Sequence, residues 1–242
     1  MAKKQYFLIV DTETTQNNLV ADFGAVICDR KGAIVAQCGV LVNGIYTNPI
    51  KNPLFFDSSA PASALWSKDS SDKRYALYQS MVVTGRRMVA SVSAINNWLA
   101  KALEQYNPTL TAYNLSFDKG KCANTGIDLN IFNSEFCLWG ASYTAFAHTK
   151  AFRQIVLETH SFNCATSHGN MSFKTNAETM ARFVTNNPNL ENEPHTALED
   201  VLDYELLILQ KLLKSYTLNW LLNDSQAYNW RDVQVKDWFR PI

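Results

Sequence analysis

The chain has 242 residues, 47% of them apolar and 18% charged, which is enough to bury a sizeable core and too apolar for a disordered polymer. Lys and Arg total 22, as do Asp and Glu; a formal charge of zero excludes the basic excess of a protein that coats a long duplex and confines nucleic-acid contact to a local grip. No uncharged apolar run approaches the ~18–20 residues of a membrane helix, and the run that follows Met1–Gln5 stops at Asp11, which argues against both a membrane span and a signal peptide.

In chain order, Gln5 to Val10 is a short apolar, β-prone run. Ala25 to Asp29 and Ala33 to Val42 flank the turn signal Asp29-Arg30-Lys31-Gly32, and together these segments predict three antiparallel strands. Asn43 to Ser71 is rich in Asn, Ser, Pro and Asp with little periodicity; it reads as a long connection or insertion within 43–90. Ala94, Ile95, Trp98, Leu99, Ala102, Leu103 and Tyr106 repeat at helical spacing, with Ser91 or Ser93 as the cap. Thr109 to Tyr113 and Phe136 to Trp139 are shorter candidate strands. Two later helices open with a capping box, Thr175 with Glu178 and Thr196 with Glu199, and a C-terminal extension follows residue 215 or so. Nothing reads as a linker or a repeat, so residues 1–242 are expected to form one domain. The five cysteines, Cys28, Cys38, Cys122, Cys137 and Cys164, are scattered and odd in number, which suits reduced thiols and a cytoplasmic protein.

Chemistry concentrates at the ends of these elements. Asp11 and Glu13 close the first strand, and their two-residue spacing puts both carboxylates on one face, where two anions invite a cation; acids at a strand end are also commonly just solvated. Asp118 follows the Thr109 strand through Asn114-Leu115-Ser116-Phe117, and the reading there is that Phe117 buries while Asp118 faces out; the bland alternative makes Asp118 the cap of a short helix. In His195-Thr196-Ala197-Leu198-Glu199-Asp200, a cap at Thr196 leaves His195 just outside the helix and Asp200 within its first turns. On one regular helix the two would point about 140° apart, so the cap is what lets both address one site; taken alone, His195 is more readily explained as a surface or capping residue. Jointly these residues match the parts list for two-metal phosphodiester hydrolysis.

The set Asp11-x-Glu13, Asn114-x-x-Phe117-Asp118 and His195-x-Ala197-x-x-Asp200 resembles, in that order, the three motifs of the histidine-bearing four-carboxylate (DEDDh) 3′–5′ exonuclease superfamily, which includes proofreading exonucleases, ribonuclease T and oligoribonuclease. The resemblance implies an α/β, ribonuclease H-like fold with a five-stranded mixed sheet flanked by helices. It implies two Mg²⁺ or Mn²⁺ ions on Asp11, Glu13, Asp118 and Asp200, a choice of metal that oxygen ligands also favour. His195 becomes the general base, the substrate a 3′ end of single-stranded DNA or RNA, and the products nucleoside 5′-monophosphates. DNA and RNA both qualify, because discrimination rests on 2′-hydroxyl contacts that no motif specifies. Thr196, four residues before Asp200, excludes the sister group that carries Tyr there. Many relatives continue the first motif as Thr-Thr-Gly, whereas Thr14-Thr15 precede Gln16 here; by analogy Thr14 is expected to contact the terminal 3′-hydroxyl. A homodimer is compatible with these motifs, which do not specify oligomeric state.

Other features are weighed beside this set. His160, Cys164 and His168, with Cys122 and Cys137 upstream, form a weak zinc candidate that lacks a paired Cys-x-x-Cys. Arg86, Arg87, Lys119, Lys121, Lys174 and Arg182 are candidates for phosphate contact, with Lys174 and Arg182 preferred because they lie near the final motif; Phe55, Phe56, Trp66 and Tyr75 are candidates for base stacking. The competing readings are a catalytically silent module that holds a strand end, and a ribonuclease H-type endonuclease.

Overall fold

The computed structural model describes residues 4–163, 171–225, 229 and 232–235. Strands β1 (Tyr6–Thr14), β2 (Val20–Asp29) and β3 (Ile34–Val42) are antiparallel neighbours, as their alternation and turn predict. The β2–β3 turn is closed by Asp29, whose Oδ1 accepts from the backbone of Lys31 and Ala33, and by Gly32 at φ +82°. Then come α1 (Lys68–Val83), β4 (Met88–Ala90), α2 (Val92–Tyr106), β5 (Thr109–Ala112), α3 (Leu115–Thr125), β6 (Glu135–Cys137) and α4 (Leu138–Ser142). A π-helical turn at Tyr143–Ala147 leads to α5 (Lys150–Glu158), β7 (Phe162–Asn163), β8 (Ser172–Phe173) and α6 (Ala177–Thr185). The last stretch is α7 (Ala197–Asp200), a second π-helical turn at Val201–Glu205, α8 (Leu206–Ser215) and α9 (Leu218–Asn223). Among the described residues no helix is long and apolar enough to cross a membrane.

The fold is α/β: a mixed sheet of order β4-β3-β2-β1-β5-β6 with helices on both faces, in which β2 alone runs against the other five strands. Leu8 and Val10 of β1 pack with Ile95 and Leu99 of α2 and Cys122 of α3, while Phe7 and Ile9 pack on the opposite face with residues of α4 to α8. Burial on both faces makes β1 a continuous apolar run.

Three expectations change. The sheet has six strands, because Met88–Ala90 pairs parallel to the end of β3 at Val40 to Val42. The segment within 43–90, expected as a long connection or insertion with little periodicity, carries α1 and is packed: its Tyr46, Leu54, Tyr78 and Met81 pack with Ala21 and Leu41, and Phe55 N donates to Thr14 O at 2.9 Å, pulling the segment onto the end of β1. Strand β6 stops at Cys137, whose Sγ accepts from Gly140 N at 3.5 Å and turns Trp139 into α4. The described part of the C-terminal extension is packed too, with Leu221, Val233 and Val235 in the core.

Candidate functional site

Parallel neighbours β1 and β5 lead in opposite directions across the sheet, β1 to β2 and β5 to β6, so their C-terminal ends form the crevice where open α/β sheets bind ligands. Asp11 and Glu13 continue the Phe7 and Ile9 face of β1 into that crevice, toward α7. A bulge between Glu13 and Thr14 re-aims the strand end.

Asp118 arrives on the first turns of α3. Here the sequence expectation is reversed: Asp118 is only 3% exposed and Phe117 is 43% exposed, because Leu115, Asp118 and Cys122 share the buried helical face. Thr12, on the other face of β1, donates to Asp118 Oδ1 at 2.8 Å and ties the second motif to the first.

His195 and Asp200 are placed by a close approach of α7 to β2. Gly24, the partner of Asp11 in the β1–β2 register, lies so near that a Cβ there would sit 2.3 Å from the carbonyl carbon of Ala197. Ala197 N donates to buried Asp22 Oδ2 at 2.9 Å, and Asp22 is in turn paired with buried Arg87 at 3.4 Å. The two capping boxes do not form. Thr196 holds the cap position but its Oγ1 is buried without a partner, since Asp22 satisfies the helix start and Glu199 turns away to Arg87. Asn176, not Thr175, caps α6 by accepting from Thr179 N.

His195 does lie just before the helix, at φ +55°, a left-handed conformation that costs a non-glycine residue on the order of 1 kcal/mol. Tyr78 donates to its carbonyl oxygen at 3.3 Å, and Trp66 packs against its ring at a centroid distance of 5.0 Å. The outcome is convergence: one ligand atom from each of Glu13, His195 and Asp200 lies within 4.8 Å of the others. Glu13 Oε1 is 3.7 Å from His195 Nδ1, and Glu13 Oε2 is 3.2 Å from Arg74, whose guanidinium also covers the Trp66 ring.

Burial and mutual repulsion dominate the electrostatics. Burial, then the Asp22 charge, lifts Asp11 to about 7. Burial, then the Asp11 charge, pushes Glu13 and Asp118 well above the carboxylate range and Asp200 up to about 11. Glu193 is raised to about 8 and Glu205 well upward for the same two reasons. Burial, then Arg74, lowers His195 to about 4, so its approach to Glu13 is that of a neutral imidazole and not an ion pair. The two carboxylates and one imidazole that meet here can hold a divalent cation, and Asp200 Oδ1 is buried with no hydrogen-bond partner.

The remaining candidates separate clearly. Thr14 lines a cavity of about 320 Å³ with Asp11, Glu13, Phe55, Trp66 and Phe117. A larger cavity of about 780 Å³ beside α3 holds none of the four motif carboxylates. Lys174 lines an adjoining cavity of about 500 Å³ that shares Trp66. Arg182 is 2.6 Å from Glu178 and bonded to Leu190 O and Asn192, and with Lys174 it lines a separate cavity of about 300 Å³. Arg87 is buried in its ion pairs, Lys119 is paired with Glu135, and Tyr75 stacks on Tyr46. Of the zinc candidates, Cys164 and His168 lie outside the described residues, and Cys122 is buried in the core, where burial raises its thiol far above the ordinary range.

The motifs do not name Arg74, Trp66, Tyr78, Asp22 or Glu205. Asp22 and Gly24 were the detectable signals, a carboxylate and a glycine inside an otherwise apolar strand. In comparisons with known proteins, no family model, curated protein or solved structure matches the chain.

Proposed function

We propose that this chain is a metal-dependent 3′–5′ exonuclease that shortens single-stranded DNA or RNA and releases nucleoside 5′-monophosphates. The observation that carries the reading is the meeting of Glu13, His195 and Asp200 within 4.8 Å beside the end of β1, which also carries Asp11, with Asp118 of α3 tied to the same strand through Thr12. A ribonuclease H-like architecture belongs to the same proposal: with β4 set aside, β3-β2-β1-β5-β6 is a five-stranded mixed sheet with helices on both faces.

In this proposal Asp11, Glu13, Asp118 and Asp200 hold two Mg²⁺ or Mn²⁺ ions. When bound, the ions supply a water of lowered pKa and balance charge on the attacking and leaving oxygens. His195 accepts the water's proton; its burial keeps the imidazole neutral, and Trp66 fixes the ring plane. Phe55, Trp66 and Phe117 offer flat apolar surface to the terminal base, where stacking is worth about 1–3 kcal/mol per base. Lys121, over the Phe117 ring at 4.7 Å, and Lys174 supply positive charge for the backbone, and Thr14 faces the terminal sugar. A cytoplasmic setting is part of the proposal, supported by the free cysteines among the described residues.

The test compares linear single strands bearing a 3′-hydroxyl with 3′-phosphorylated and circular strands, as DNA and as RNA, in Mg²⁺. Stepwise shortening of the free 3′-hydroxyl ends to mononucleotides supports the proposal. Internal cutting of circles would favour an endonuclease, and end binding without turnover a silent module.

A further inference from the structure

Opposite Glu13 and Asp11 in the β1–β2 register stand Asp22 and Gly24, and opposite Gly24 in the β2–β3 register stands Gly39. The paired glycines leave a floor on the sheet that two groups fill. A Cβ on Gly24 would lie 2.3 Å from the Ala197 carbonyl carbon, and one on Gly39 would lie 2.3 Å from Nη1 of Arg87 and 2.6 Å from Leu198 Cδ2. The start of α7 and the Arg87 guanidinium are thus laid side by side on β2 and β3.

Arg87 follows α1 and is anchored there by its backbone N, which donates to Met81 O at 3.1 Å. Its side chain is fully buried, and its Nε and Nη1 have no hydrogen-bond partner among the described residues. Nη2 alone serves two acids, Asp22 Oδ2 at 3.4 Å and Glu199 Oε2 at 2.5 Å. Asp22 Oδ2 is the atom that accepts from Ala197 N, and Glu199 is the residue before Asp200. One guanidinium nitrogen therefore holds α7 at its first residue through Asp22 and at its third residue directly. A buried cation with donors left over is costly, and an apolar side chain of similar volume would fill the same space at lower cost. What an apolar side chain lacks is the power to fix the direction of two carboxylates.

We infer that Arg87 is a positioning residue of the metal centre: through Asp22 and Glu199 it holds α7 on the sheet so that Asp200 and His195 meet Glu13. The segment that carries Arg87 also supplies Arg74 to Glu13 and Tyr78 to the His195 carbonyl, so it braces the centre at three points. This rests on the metal-dependent reading of the site.

The experiment is calorimetric titration of the full chain, stripped of metal, with Mn²⁺, comparing wild type, Arg87→Met, Asp200→Asn and Leu99→Ala below their melting transitions. Arg87→Met is expected to bind Mn²⁺ about 10–100-fold more weakly, the usual cost of removing a group that orients metal ligands. Leu99→Ala truncates the core on the sheet face away from α7 and should keep wild-type affinity although it destabilises the fold. In the metal-free chain, hydrogen exchange should show the Ala197 amide losing protection in Arg87→Met by a larger factor than the amides of β2. If Arg87→Met fails to fold, Glu199→Gln, at a partly exposed side chain, enters the same titration with a loss in the same direction. Wild-type Mn²⁺ affinity or unchanged Ala197 protection in the folded variant, with Asp200→Asn impaired, overturns the role of Arg87 and leaves the metal centre standing. An equal loss of affinity in Leu99→Ala does the same. Wild-type binding in both Arg87→Met and Asp200→Asn overturns the metal centre and the role of Arg87 with it.

Discussion

In the proposed mechanism His195 concentrates the chemistry that one residue contributes. It is held at a left-handed backbone position by the Tyr78 hydrogen bond, packed by Trp66 and kept neutral by burial. His195→Ala is expected to lower kcat by about 10²–10⁴-fold while Mn²⁺ binding and the fold persist, as read by single-turnover cleavage beside calorimetry and melting. Only neutral imidazole accepts a proton, and His195 is lowered to about 4; at saturating metal the activity should therefore show no ascending limb centred on the ordinary His value of about 6.5. A limb at that value, lost in His195→Ala, would show that the imidazole is solvated. At this scale the meeting of Glu13, His195 and Asp200 is legible in the sequence, because their residue types and spacing lie within short local patterns. Arg74 is not, nor is the packing of Trp66 on His195, since these contacts join residues far apart in the chain.

Among elements, α7 decides whether the site assembles, and it is seated on a glycine. Gly24→Ala would place a methyl group 2.3 Å from the Ala197 carbonyl carbon, so the helix start must retreat from β2. The expected cost is about 1–3 kcal/mol in urea unfolding, with activity at temperatures below the melting transition falling on the order of 10²-fold because His195 and Asp200 are misplaced relative to β1. Unchanged activity in a destabilised Gly24→Ala protein would detach α7 from catalysis. The first three strands and α2 are legible because their apolar periodicities are clean. Helix α1 escapes because the face it buries is Ser71, Arg74, Tyr78 and Met81, helical in spacing but half polar. The capping boxes mislead because a local pattern cannot register a distant acceptor such as Asp22 for Ala197 N.

In the whole molecule, one end of the sheet crowds buried acids whose charged forms repel one another, a repulsion that protonation relieves and that, in the proposed function, a bound cation would relieve. Carboxylates whose folded pKa is raised stabilise the fold below their ordinary value, and that contribution is lost as pH rises through the folded pKa. That loss runs from the ordinary carboxylate range up to about 7 for Asp11, about 8 for Glu193 and about 11 for Asp200, so the last two carry it onto the alkaline side, where His195, lowered to about 4, is neutral both folded and unfolded. In EDTA the melting temperature should therefore fall between about pH 7 and 8.5, and saturating Mn²⁺ should raise it and flatten the slope. A melting temperature that is flat in EDTA would mean that the acids are solvated. The α/β class was legible from alternating strand and helix patterns, while the sixth strand and the packed 43–90 segment were not, because three-residue pairing and a polar helix leave no periodic trace.

The most direct measurement follows a 5′-end-labelled single strand incubated with chelator-stripped protein, before and after addition of Mg²⁺ or Mn²⁺, with Asp200→Asn in parallel. The expected result is an intact strand in EDTA, a ladder shortened one nucleotide at a time from the 3′ end once metal is added, and no ladder from the variant. Undiminished shortening in EDTA, or full activity of Asp200→Asn, would contradict a carboxylate-held metal centre.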